Sequence, residues 1–132
     1  MDPTVQSRTG LLLMEAVAGV VTNSIRRFMA ERFRIRLMFE WGGGALWCGN
    51  EAALARFSVG SIEDNLPLSA TTRVRLAEMT RWHDRALNWD YPPDPGPWQE
   101  DEYIEFDDAA HTMLAVIQEE LGSEFEVVYE RL

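Results

Sequence analysis

Apolar residues recur along this chain with two different periods, and the switches between them outline its elements. Leu13, Val17, Val20, Val21, Ser24 and Phe28 recur at three and four, which predicts a helix over 9–30 behind a loose end at 1–8. Gly19 weakens the middle of that helix by about 1 kcal/mol, or marks close contact with another backbone. In the stretch RFRIRLMFEW, Arg32, Arg34 and Arg36 then alternate with Phe33, Ile35 and Leu37. Period two predicts a strand over 32–40 with one dry face and one wet face. Gly42, Gly43 and Gly44 separate it from a second apolar run, ALWC at 45–48. Gly-Gly between two such runs signals a hairpin, because glycine takes positive φ at no steric cost.

Gly49-Asn50 ends the second strand, and Asn50 is placed to cap a short helix over 51–57. Residues 58–69 read as a loop with a turn near Asp64-Asn65; Pro67 fixes the chain ahead of Ser69, a good N-cap. Leu76, Met79, His83 and Ala86 or Leu87 share one face of a helix over about 70–87, with Asn88 placed to close it in a left-handed cap. Four prolines at 92, 93, 95 and 97 rule out regular structure in YPPDPGP and hold it extended. Tyr103, Phe106, Ala110, Met113, Ile117 and Leu121 form an apolar stripe on a long helix that ends at Gly122. FEVVYE at 125–130 reads as a last strand. The order predicts an α+β fold: a small antiparallel or mixed sheet, made of hairpin 32–48 and strand 125–130, packed against three main helices.

Size and charge narrow the setting. A chain of 132 residues suits a single domain over 1–132 that needs neither metal nor disulfide to fold. Cys48 is the only cysteine, and with no CxxC partner it reads as a small buried hydrophobe rather than a nucleophile. The apolar run Leu11–Met14 is cut short by Glu15, so no signal peptide is expected, and no run approaches the ~20 apolar residues that span a bilayer. A cytoplasmic location is the expectation. Residues 1–36 carry six arginines and three acids, a net of +3; residues 37–132 carry six arginines and nineteen acids, a net of −13. Such a surface repels nucleic acid and anionic membranes and suits a basic protein.

Specific chemistry is harder to place. No Walker loop, HExxH or GxSxG occurs, and the glycine triplet lacks the spacing and the lysine of a phosphate loop. Adjacent His83 and Asp84 point about 100° apart on a helix and make a poor dyad. His83 and His111 lie 28 residues apart on different helices, and the carboxylates at 100–108 lack the alternation and central glycine of a calcium loop, so neither metal nor cofactor is expected. Arg34 and Arg36 either pair with acids of a neighbouring element or form an anion site. Trp41 and Trp47 flank the hairpin turn, packing on each other or edging a groove. Trp82, Trp89, Tyr91 and Trp98 bracket the rigid proline loop, either covering the core or offering a surface to a partner, since tryptophan and tyrosine dominate binding hot spots.

Three functions fit these residues. The first is a protein-binding protein whose carboxylates of 100–108, Asp101 and Glu102 among them, meet a basic partner while Trp89, Tyr91 and Trp98 anchor it. The second is a small-ligand site or enzyme lined by Trp41, Trp47, Trp82, His83 and Trp89, with Arg34 or Arg36 holding an anion and His83, helped by Asp84 or Asp90, moving a proton. The third is a homodimer joined through a strand edge. In size and acidity the chain resembles small acidic uncharacterised proteins of high-GC bacteria, a look shared by some immunity proteins of bacterial toxin systems. That resemblance implies an immunity-type or antitoxin-like inhibitor that neutralises a basic enzyme.

Overall fold

A computed structural model describes residues 32–131. The loose end at 1–8 and the helix expected over 9–30 lie outside the described residues. Alternation in FRIRL becomes β1 (Phe33–Leu37), which pairs antiparallel with β2 (Leu46–Cys48) and parallel with β3 (Phe125–Tyr129), in the order β2-β1-β3. The sheet is therefore mixed, with β1 in the middle. Ile35 and Leu37 on the dry face of β1 are fully buried. On the wet face, Arg34 Nε lies 2.6 Å from Glu126 Oε1 and Arg36 Nη1 lies 3.3 Å from Glu130 Oε2.

β1 stops earlier than its alternation predicts, because β3 runs out opposite Leu37. The chain still turns back as a hairpin: Met38 N donates to Ala45 O, and Gly43 N donates to Glu40 O to close the turn. Gly42, third of the four turn residues, has φ +75°, as a type II turn demands at that position. Glu63 then fastens the returning strand, one carboxylate oxygen accepting from Ala45 N at 3.0 Å and the other from Leu46 N at 2.9 Å. Glu63 lies in a 3-10 turn (Glu63–Asn65) at the site of the expected Asp64-Asn65 turn.

Three helices among the described residues cover the sheet: α1 (Glu51–Phe57), α2 (Ala70–Asp84) and α3 (Glu100–Leu121). Asn50 caps α1 by accepting from Ala53 N at 2.9 Å, and Ser69 caps α2 by accepting from Thr72 N at 3.1 Å. Glu120 of α3 reaches the same cap. It accepts from Ser69 N, Thr72 Oγ1 and Ser69 Oγ, and these bonds, the backbone one foremost, hold its carboxyl below the usual carboxylate range. The core contains Phe106, Ala110, Met113 and Ile117 of α3 with Leu76 and Met79 of α2, packed with Leu37 and Leu46 of the sheet. Each large apolar side chain buried in this way contributes roughly 1.5–3 kcal/mol.

α2 ends at Asp84, one turn before the apolar face runs out. The reason is local: the Trp89 indole donates to Asp84 O at 2.6 Å, and Arg85 N and Ala86 N bond three residues back to Trp82 O and His83 O. Asn88 does not cap the helix. Its side-chain oxygen accepts from Asp90 N and Tyr91 N, both at 3.1 Å, and starts the proline loop. At the other end, Gln118 closes the outer edge of β3: Nε2 donates to Phe125 O, and Oε1 accepts from Val127 N, both at 2.9 Å. A side chain thus occupies positions that another strand would otherwise use.

Candidate functional site

The ends of four segments meet beyond Leu37 and Tyr129: the hairpin turn, the C-terminus of α2, the proline loop and the first half of α3. Gly42 N donates to Asp84 Oδ1 at 3.0 Å and ties the turn to α2. This attachment lays Trp41 over His83, with ring centroids 5.4 Å apart and planes within 12°. Trp98, delivered by the proline loop, meets His83 edge-on at 6.2 Å and packs against Tyr103 and Phe106 at 5.0 and 5.3 Å. Together these rings wall an open groove of about 280 Å³, completed by Phe39, Asp107, Tyr129, Glu130 and Arg131.

Electrostatics differ along the groove. Asp107 lies 3.0 Å from Arg131 Nε and 3.6 Å from His111 Nδ1. Burial, together with the hydrogen bond to Asp107 and its charge, pushes the Tyr129 hydroxyl up to about 12, with Arg131 offsetting only part of the effect. At the other end, burial pulls the His83 pKa below its ordinary value against a weaker upward pull from Asp84. The ring is therefore neutral at pH 7, and its Nδ1 is buried without a hydrogen-bond partner. An unsatisfied buried polar atom costs roughly 1–3 kcal/mol.

This arrangement makes stability depend on pH in a definite direction. Unfolded His83 takes up a proton near the ordinary value of ~6.5, whereas folded His83 takes it up only at lower pH. The unfolded state then binds more protons, so stability present above ~6.5 is lost as pH falls toward the folded value. Replacing His83 with Phe is expected to flatten that loss between pH 7 and 5.5, measured as urea midpoints at a series of pH values. An unchanged slope would remove His83 as its source.

The other residues singled out by sequence fall at several places. Trp89 and Tyr91 are 56% and 58% exposed, and Trp41 is 44% exposed. The Trp89 ring lies against Gly42 and extends the aromatic rim outward from the groove. Trp98, in contrast, is only 8% exposed. Trp82 is half-buried behind it, its indole donating to Glu102 at 3.0 Å, while Asp101 is exposed at the start of α3. Trp47 stands apart on β2, its indole donating to Met38 O. Arg34 pairs with Glu126 of β3, and Arg36 with Glu130 just after it. Cys48 donates to Ser58 O, and burial raises its pKa despite Arg36, so the thiol stays protonated.

Thus Trp41, His83 and Trp98 converge on the groove; Trp47, Trp82, Trp89, Arg34 and Arg36 do not line it. Asp107 lies among the carboxylates of 100–108 expected to face a partner; sequence reasoning missed Tyr103, Tyr129, Glu130 and Arg131 as lining residues. Tyr103 and Tyr129 sit in register with core positions, and nothing in their spacing separates the two roles. Among the described residues no three His, Cys, Asp or Glu side chains converge as metal ligands, and no helix is long and apolar enough to cross a membrane. Compared with known protein families, residues 33–131 match the family described as Serratia CdiI immunity protein-like. A comparison with curated proteins gives no match.

Proposed function

The chain belongs to the Serratia CdiI immunity protein-like family, and from that membership we propose that it is an immunity protein, which binds a basic protein toxin and neutralises it. The observation that carries this reading is the joining of an exposed aromatic rim to an acidic surface within the matched residues. Trp41, Trp89 and Tyr91 are all exposed. Residues 86–130, which supply the proline loop and α3, hold thirteen carboxylates and no arginine. Aromatic residues exposed together supply the desolvated anchors of a protein interface, and the negative field speeds encounter with a cationic partner and selects for it.

The reading assigns Trp89 and Tyr91 as anchors. Neither is in the core, so the double substitution Trp89→Ala, Tyr91→Ala is expected to leave the thermal melt within a few degrees of wild type. It is expected to weaken toxin binding by about thirtyfold or more, the scale of one interface hot spot. The check is growth rescue: cells expressing a cognate basic toxin survive with the wild-type protein and not with the double variant at equal abundance. Equal rescue by both proteins would move the interface elsewhere, and failure of the wild-type protein to rescue would refute the immunity role.

A further inference from the structure

We propose that the groove between the hairpin turn and the first half of α3 receives one long basic side chain, arginine or lysine, of the protein partner. The inference deepens the immunity reading and rests on it. Size is the first argument. At about 280 Å³, the groove lies just below the roughly 300–1,000 Å³ of sites for drug-sized ligands. It has room for a side chain rather than a substrate molecule or a peptide.

The walls are the second argument. Trp41 and Tyr103, 44% and 50% exposed, stand at the mouth, and Trp98 and Phe106 line the interior. The faces of such rings attract ammonium and guanidinium groups, more strongly as water is excluded. They would also cover the aliphatic stem of a lysine or arginine.

The charges are the third. Two carboxylates, Asp107 and Glu130, line the groove, and each already has an arginine partner, Arg131 and Arg36. The groove is thus not a bare acidic cluster, and the Asp107 end already holds a guanidinium of this chain. His111 also stands near Asp107, and Asp84 is the charged group beside His83. His83, 7% exposed with an unpartnered Nδ1, adds a polar wall without a positive charge at pH 7. The surrounding segment with thirteen carboxylates and no arginine sets the wider field. An anionic side chain would be repelled by that field, and an uncharged apolar one would gain nothing from it.

The test titrates the full chain, isotopically labelled, with N-acetyl methylamides of arginine, lysine, norleucine and glutamate, following the indole N–H signals of Trp41 and Trp98 by NMR. Norleucine keeps the four-carbon stem of lysine and lacks the charge. Saturable shifts with both basic probes are expected, with norleucine at least fivefold weaker and glutamate silent. Trp41→Leu, followed at Trp98, and Tyr103→Leu should each weaken the basic probes about two- to fivefold, a range set by exposed cation–π contacts, with unchanged melting. Norleucine binding as tightly as lysine, or basic probes indifferent to both substitutions, would overturn the proposal. Toxin binding at full affinity by Trp41→Leu would likewise overturn it while leaving the immunity reading intact. A selective basic-probe site in a protein that rescues no cell would retain the groove and refute the immunity reading.

Discussion

Gly96→Ala is expected to destabilise the protein by about 3–5 kcal/mol, the range in which single substitutions report a definite structural fault. Gly96 sits in the proline loop with its backbone pressed against Ala86, just past the end of α2. A Cβ at this position would overlap the Ala86 carbonyl oxygen and crowd its carbon. Both atoms are backbone and cannot rotate away. The loop is stiffened by its prolines and begins at the Asn88 turn, so it has little slack to absorb a shift. Displacing it would withdraw Trp98 from the core. Gly60→Ala provides the contrast. Gly60 has φ +101° with no atom within 4 Å of an added Cβ, so it should cost only the ~1–2 kcal/mol of an unfavourable backbone. Urea unfolding followed by far-ultraviolet circular dichroism measures both. Equal losses in the two variants would show that the loop does not depend on close approach at Gly96.

Trp98→Ala is expected to cost a similar 3–5 kcal/mol, the usual range for deleting a buried large aromatic side chain. The ring is 8% exposed and contacts Trp82, His83, Tyr103 and Phe106, so its loss leaves a cavity between α2 and α3 that rigid neighbours cannot fill. This distinguishes Trp98 from Trp89 and Tyr91, although sequence places all three around the same prolines. A binding defect in Trp98→Ala would first report a damaged fold. Trp98→Phe keeps an aromatic ring in place and should recover most of the stability. If Trp98→Ala melted like the wild type, the ring would belong to the surface after all, and the anchor role would extend to it.

The two positions illustrate why the site was only partly legible. Proline spacing marks the loop 92–97 as rigid but not the direction in which it turns. That direction depends on the contact between Gly96 and Ala86, two segments with no periodic relation. Trp89 therefore faces outward and Trp98 inward. Tyr103 shows the converse: it continues the stripe of Phe106, Ala110 and Met113, yet lies half-exposed beside the groove. Periodicity assigns a face of a helix. It does not say where the neighbour that covers this face stops.

By itself, the sequence determined the elements of residues 32–131 and their buried faces. Period two and period 3.6 are local consequences of strand and helix geometry, the caps Asn50, Ser69 and Gly122 bond backbone atoms only a few residues away, and the positive φ of Gly42 shapes its own turn. Its charge pattern also set the negative field of the α3 region, since that field depends little on detailed packing. The tertiary structure decided the parallel pairing of β1 with β3, the closure of the β3 edge by Gln118, and the meeting of Trp41, His83 and Trp98 around one groove. The Gln118 bonds span seven and nine residues; the β1–β3 pairing and the stacking of Trp41 on His83 join residues tens of positions apart. Their free energy comes from shape and from hydrogen bonds completed across segments, neither of which leaves a period in the chain.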